Sequence, residues 1–329
     1  MNPVGNERGF REILSKKVSS GSVGLWFLVA EHMRLGSWDL IKGYTGGDDN
    51  DFNPRIAMQL VNEAALCRNR IRPQNQITNQ GFELLNGMRV LVTDEQVHNL
   101  LNTHTIAQTK NFQENLAKIR LINGHYKGKV IAIDPHRIIT SSKRIMPKKK
   151  KQPTKPSEKM LQTFFSLDAQ TGQPIVFGMG STAERPISAT LKLIDSTDVV
   201  SDNALILADK EHYNEEIFKK ISNGQTFELL VPAISSKKIR ETEKSLTYKF
   251  MWSGYYIAET EMSFANSQKK YRLIVQREGE RPDDYSYKSF LTTSKKSGVE
   301  LLSERYGERW SIEEFFKSEG AMGFDTASI

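Results

Sequence analysis

Two short apolar runs constrain this chain more than anything else in it: "VIAID", Val130 to Asp134, and "LILAD", Leu205 to Asp209. A brief run of β-branched and aliphatic residues is the mark of a strand buried on both faces, and each of these ends in a carboxylate. Such a charge is costly unless it is solvated, paired or bound to a metal. In open α/β sheets that strand end is also where ligands bind, at the point where strand order reverses. Either aspartate alone reads as a cap on a loop or helix. If the two strands are neighbours, the pair reads as a metal site, because a divalent cation most simply relieves the repulsion of two close carboxylates.

The surrounding pattern predicts an α/β domain. After Lys129 come "KVIAID", then "MLQTFFSLD" and "QPIVFGMG" joined by the turn "AQTG", then a helix over "ISATLKLIDS". "ALILAD" and "FELLVPA" follow as strands with the helix "NEEIFKKIS" between them. This order calls for a mixed sheet with helices on its faces. From Ser236 to Ser297 long, aromatic, partly alternating stretches suggest an antiparallel β-insert. The first ~125 residues read as short helices. Gly36 stops the first and Ser37 caps the next, Asn53 and Pro54 open another, and Thr93 with Gln96 forms a capping box. A face of Phe112, Leu116 and Ile119 belongs to a helix ending near Gly124. With Arg68, Arg70 and Arg72 among these helices, the region fits DNA binding and a plain helical bundle equally. The expected boundaries are therefore 1–127 helical, 128–235 the first part of the α/β core, 236–298 the β-rich insertion and 299–329 the final helix and C-terminal end.

Charge and composition narrow the partners. The net charge of +7 favours anions, and its densest stretch is "SSKRIMPKKKKQPTKPSEK", Ser141 to Lys159. That stretch reads as a solvated loop whose Lys148, Lys149, Lys150 and Lys151 track phosphates, each contact releasing a counterion. Cys67 is the only cysteine, which rules out a disulfide framework and a Cys-rich zinc site. No apolar run approaches the ~18 residues of a membrane helix, and "MNPVGNERGF" lacks the layout of a signal peptide. A cytoplasmic protein is expected.

Near the end lies "RYGERWSIEEFF", Arg305 to Phe316. At ~100° per residue, Tyr306, Arg309, Glu313 and Lys317 fall on one stripe, and Glu314 points away. Leu301, Leu302, Ile312 and Phe316 form the adjoining apolar side, which brings Glu313 to the rim of a core. An i,i+4 surface pair of Arg309 with Glu313 would give the same spacing.

Here the residues resemble a known family. Aspartate at the end of a first strand, aspartate at the end of a fourth and glutamate on a late helix form the DDE arrangement of ribonuclease-H-like transposases. Tyr306, two residues, Arg309, three residues and Glu313 are similar to the signature of bacterial insertion sequences of the "four" type. "GLWFLVAEHMRLGSWDLIKGYTG", "IDPHR" and "LADKEHY" resemble the same group, as does a β-rich insert before the last helix. The signature's final lysine would fall at Gly320, and Lys317 stands one turn after Glu313.

The resemblance implies a ribonuclease-H-like mixed sheet with a β-rich insertion and a helical N-terminal domain. It implies metal-dependent strand cleavage and strand transfer, cut-and-paste transposition, with Asp134, Asp209 and Glu313 holding two Mg²⁺ ions, or Mn²⁺ in their place, within bridging distance. Tyr306, Arg309, Lys317 and Arg137 would contact DNA, with His136 and His212 supporting the site. Partners would be double-stranded DNA, both element ends and target, and a second copy in a homodimer, without a membrane, in a bacterial cytoplasm at the nucleoid. Members of the group continue with more helix than this chain has after Glu313. A shortened, non-catalytic DNA-binding remnant and a nuclease without strand transfer are the competing expectations.

Overall fold

The computed structural model describes residues 26–48, 51–65, 93–140, 143, 145–150, 154, 156–181, 183–200, 203–224, 227–265 and 267–321. The expectations resting on Cys67, Arg68, Arg70, Arg72 and Lys151 lie outside these residues. Contacts divide the chain into two units, Met1–Leu116 and Ala117–Ile329.

The first unit is helical. Helix α1, Trp26–Leu35, ends at Gly36, whose φ of 58° is left-handed, and α2, Ser37–Thr45, starts at once. Gly36 itself stands at the N-cap, so Ser37 is inside the helix and caps nothing. Helix α3, Phe52–Ala65, begins one residue before Asn53, which puts Asn53 and Pro54 in its first turn. The capping box of α4, Asp94–Asn102, is present: the Gln96 amide donates to Thr93 Oγ1 at 3.2 Å and Thr93 N–H donates to Gln96 Oε1 at 2.9 Å. Ile56, Val97 and Leu100 make a small core. Helix α5, Ile106–Ile122, closes at Gly124, φ 74°.

The second unit is built on one large sheet. Its strands are β1 Val130–Ile139, β2 Lys148–Lys150, β3 Ser157–Asp168, β4 Gln173–Ser181, β5 Ala204–Ala208, β6 Phe227–Pro232, β7 Lys249–Trp252, β8 Tyr255–Ser263, β9 Lys270–Glu278 and β10 Ser286–Thr292. Their order is β3-β1-β5-β6-β10-β9-β8-β7, with β4 and β2 both on the outer edge of β3. β1 runs antiparallel to β3 and parallel to β5, and β5 runs parallel to β6. An antiparallel trio joined to two parallel strands is the order of the ribonuclease-H-like fold. The β-rich stretch continues the same sheet, because β10 pairs antiparallel with β6.

Further local outcomes in this unit differ from the sequence reading. Lys148–Lys150 are not a free loop: they pair with Ser157–Lys159 on the edge of β3 that β4 leaves open. The stretch from Ser236 opens with a helix, α8 Lys237–Ser245, because Ser236 caps it by accepting the Ile239 amide and Ile239 is buried beneath it. The final segment is not one regular helix. Glu300–Arg305 is wound wide as a π-turn, Tyr306–Arg309 is tight as a 3₁₀ turn, and α9, Trp310–Ala321, is α-helical.

Alternation along the strands sorts the core into two layers. Ile131, Ile133, Ile206, Leu229 and Val275 meet helices α6, Pro186–Thr197, and α7, Glu215–Gly224, on one face. Val130, Ala132, Leu205, Leu207 and Ile274 meet Leu301, Leu302 and Ile312 on the other. Burying each of those three side chains contributes roughly 1.5–3 kcal/mol, which fixes the final segment across the sheet. At the start of β1, fully buried Asp168 accepts the amides of Lys127 and Gly128 at 2.8 and 2.7 Å, and those of Gln170 and Thr171 at 3.1 and 2.9 Å. It ties the β3–β4 turn to the entry of β1. No helix among the described residues is long and apolar enough to cross a membrane.

Candidate active site

The same alternation places both strand-end aspartates. Ile133 faces the first layer and Ala132 the second, so Asp134 points into the second. Ala208 and Leu207 alternate likewise, and Asp209 follows on the same side. Ile133 is the register partner of Ala208 across the parallel β1–β5 pair, so Asp134 and Asp209 stand next to each other where that pairing ends. β1 itself runs on to Ile139 against β3. Asp134 therefore marks the end of the parallel ladder rather than the end of the strand. The layer both acids face is the one the final segment covers, with Tyr306, Phe315 and Phe316 packed into it.

Their environments differ. Asp209 caps the short turn Lys210–His212: its Oδ1 accepts the Glu211 amide at 2.8 Å and sits 2.9 Å from His212 Nδ1, with His212 only 3% exposed. Burial raises the Asp209 pKa, but His212, the Glu211 amide and Arg309 outweigh burial and hold it below the ordinary carboxylate range. Among the described residues Asp134 has no such set of donors. Burial first, then the neighbouring charges of Asp209 and Glu211, push it up to about 7 against the pull of His212 and Arg309. Two adjacent carboxylates thus divide into one that stays ionised and one that resists ionisation.

This division predicts a pH effect. An unfolded aspartate titrates near 3.8, so between that pH and about 7 the folded chain keeps a proton that the unfolded chain has lost. Stability contributed at Asp134 is present at low pH and falls as pH rises through this window. Asp134→Asn is therefore expected to raise the unfolding free energy at about pH 8 in a chelator by about 2–4 kcal/mol, read as a higher urea midpoint than the parent's. At about pH 4 it should leave the midpoint unchanged. Equal midpoints at both pH values would refute the assignment.

Above the aspartates lies the 3₁₀ turn. Arg309 is largely buried and donates from Nη2 to Glu313 Oε1 at 2.6 Å. Burial opposes its charge, while Glu313, Tyr306 and Asp134 sustain it. Tyr306 sits edge-on to Phe290 at 4.8 Å, and its phenol feels both Asp209 and Glu313. Arg309 and Tyr306 therefore bridge between the strand-end acids and the helix acid. Glu313 is held by arginine, and among the described residues no group of three Asp, Glu, His or Cys is close enough to hold a metal ion.

The other expected site residues separate. Lys317 leaves the stripe: its Nζ reaches Glu314 at 2.7 Å and lies over the Trp310 ring, on the solvent side. Glu314, three residues before it on the same regular helix, competes for this lysine. Arg137 pairs with Glu211, and His136 packs against the Phe316 ring, centroids 4.6 Å apart. Lys148, Lys149 and Lys150 lie on the β2 edge. Glu211 is the residue that sequence reasoning missed. It links Arg137 to the Asp209 turn, and its signal was the spacing within "ADKEH", where an aspartate can cap its own i+2 amide.

Residues 125–329 match the family model described as Transposase DDE domain. No curated protein sequence matches the chain. Among the solved structures that are similar are two transposase complexes, both at low identity. The piggyBac transposase synaptic complex with hairpin DNA has a TM-score of 0.45 and 11% identity, covering 83% of this chain and 60% of that one. The Mos1 mariner paired end complex with Mn has a TM-score of 0.23 and 12% identity, covering 68% and 71%. This chain thus spans about three fifths of the first of these.

Proposed function

We propose, from the premise that this chain belongs to the transposase family defined by the DDE domain, that it cuts and rejoins DNA by cut-and-paste transposition of an insertion sequence, with Asp134, Asp209 and Glu313 as its catalytic acids. The observation that carries this reading is the pair Asp134 and Asp209, adjacent across the β1–β5 ladder beneath Arg309.

The donor set fits a hard divalent cation, Mg²⁺ or Mn²⁺. Such ions take carboxylate oxygens, and the burial and, after it, the Asp209 repulsion that raise Asp134 are what a dipositive charge offsets. Asp134, Asp209 and Glu313 would hold two such ions. When bound they supply charge neutralisation at the scissile phosphate and an activated oxygen nucleophile. The chain's own groups prepare for this. His212 and the Glu211 amide fix the Asp209 carboxylate and keep it ionised. Glu313 joins the aspartates by giving up Arg309, whose guanidinium is then free to clamp a DNA phosphate in bidentate fashion, with the Tyr306 phenol beside it. In the reaction an oxygen of water, or later a DNA 3′-hydroxyl, bonds to a backbone phosphorus. The bond from phosphorus to the leaving oxygen breaks, and the nucleophile's proton passes to solvent.

Purified protein with duplex DNA and Mg²⁺ or Mn²⁺ tests this directly. Nicked and joined products are expected. Nicks without joined products would indicate a nuclease, and no nicking with retained binding would indicate a DNA-binding remnant. Glu313→Gln should abolish nicking and keep binding; nicking at the parent's rate would remove Glu313 from the site.

Lys148, Lys149 and Lys150 present a basic edge strand that we assign to the DNA backbone. Replacing all three with glutamine is expected to flatten the slope of log affinity against log salt by about 2–3. An unchanged slope would count against that edge. In this reading the protein acts on element ends and target as a homodimer.

A further inference from the structure

The far end of the sheet carries a second arrangement that the proposed chemistry does not use. Phe250 pairs with Tyr256, Tyr256 with Arg277 and Arg277 with Tyr287, one register row across β7, β8, β9 and β10. Arg277 follows Leu273 and Val275 in alternation, and Tyr248 and Tyr287 pack against that same core layer. The row therefore lies on the face opposite Asp134 and Asp209.

At its centre the Arg277 guanidinium lies 4.2 Å from the ring centres of Tyr256 and Tyr285 and 4.5 Å from that of Tyr248. Cation–π contact holds the charge in place, yet rings do not accept five N–H bonds in the plane of the fork. Its Nε is buried without a hydrogen-bond partner. Arg120, Arg137, Arg272, Arg305 and Arg309 each reach a carbonyl or carboxylate oxygen. Among the described residues, the Arg277 guanidinium reaches ring faces only. An arginine preorganised by three tyrosines and left without an acid is complementary to a planar or tetrahedral oxyanion.

We propose that Arg277 and its tyrosines form a phosphate-binding subsite that takes a backbone phosphate of duplex DNA, on the sheet face opposite the catalytic acids. The class of anion follows from three features. The chain carries net charge +7, its family acts on DNA, and a guanidinium fork matches two phosphate oxygens. Phe250, 60% exposed at the end of the row, offers an apolar shoulder to the adjoining sugar. Arg240 and Lys244 on the nearby helix α8 are exposed, and the Tyr248 hydroxyl donates to the Glu243 carbonyl at the end of that helix at 2.6 Å. Duplex held here is a different segment from the one being cut, so the sheet would grip DNA on both faces.

The inference rests on the DNA reading above but needs only binding, so the two fail separately. Fluorescence anisotropy of a labelled duplex is followed from about 50 to 200 mM salt for the parent and Arg277→Gln. Arg277→Gln is expected to bind about three- to tenfold more weakly, with a salt slope lower by about 0.9. A parent that does not bind duplex overturns the DNA reading itself. A parent that binds, with Arg277→Gln matching it in affinity and slope, overturns this inference alone. If Arg277→Gln fails to fold, Arg277→Lys is read instead. Lysine keeps the charge but not the fork, so a retained slope with about two- to threefold weaker binding is expected, and parent-like affinity overturns the proposal. Inorganic phosphate at constant ionic strength gives the last arm. It should not erase the difference between parent and Arg277→Gln; if it does, free phosphate is the ligand and the DNA assignment falls.

Discussion

Asp209→Asn is expected to lower metal-dependent nicking of duplex DNA by about a thousandfold or more, with DNA affinity nearly unchanged. A loss of that size corresponds to about 4 kcal/mol of transition-state stabilisation, within what a metal-held phosphoryl centre supplies. The substitution is nearly isosteric. The asparagine carbonyl can still accept the Glu211 amide that Asp209 accepts at 2.8 Å, so the turn Lys210–His212 should survive. What goes is the charge that His212 and Arg309 hold in its ionised form. The loss also leaves a second trace. With Asp209 neutral, one of the causes that raise Asp134 is gone, so the pH dependence of stability should weaken in parallel with activity. Nicking within about tenfold of the parent would remove Asp209 from the catalytic set, because tenfold is only about 1.4 kcal/mol.

The largest effect on stability is expected at Asp168, far from that chemistry. Asp168→Ala should cost the second unit about 3–5 kcal/mol, read as a fall in its urea midpoint. The carboxylate accepts four backbone amides. Hydrogen bonds to a charged acceptor contribute about 1.5–3 kcal/mol each, and stranded buried donors about 1–3. Water reaches some of these amides once the side chain is gone, which keeps the total below the sum. Asp168→Asn retains one acceptor oxygen and turns an N–H₂ toward two donors, so it should lie between parent and alanine. A cost below about 1 kcal/mol for the alanine would mean that the turn holds without its anchor.

Much of the candidate site's layout was legible because it rests on local patterns. Apolar runs ending in aspartate declare themselves, and the i,i+4 spacing of Arg309 and Glu313 declares their pairing. The phase of the last helix was only partly legible. It was reckoned at a constant turn, and the wide winding at Glu300–Arg305 followed by the tight one at Tyr306–Arg309 broke that count upstream of Trp310, while Lys317, within the regular helix, is drawn off by Glu314. The pairing of Lys148–Lys150 with β3 was hidden for another reason. Lysine has little strand preference of its own, and the ladder is supplied by an open edge elsewhere in the chain. Asp168 looked like the end of one more apolar strand, because its four amides come from two segments and from no motif. Arg277 gave no signal either, since its cage is a register row across strands rather than a spacing along one.

The placement of β10 has a consequence in time. It covers β6, so until β10 is made the parallel core carries an open strand edge, a surface inviting misplaced pairing. The third acid comes later still. From Asp209 to Glu313 is roughly a hundred residues, or about 5–20 s of synthesis at ordinary rates. During that interval the nascent chain carries Asp134 and Asp209 but not the segment that comes to cover them. Contacts so distant in sequence also form late in folding. The three acids of the proposed site would thus come together only when the segment Glu300–Ala321 settles across a finished sheet.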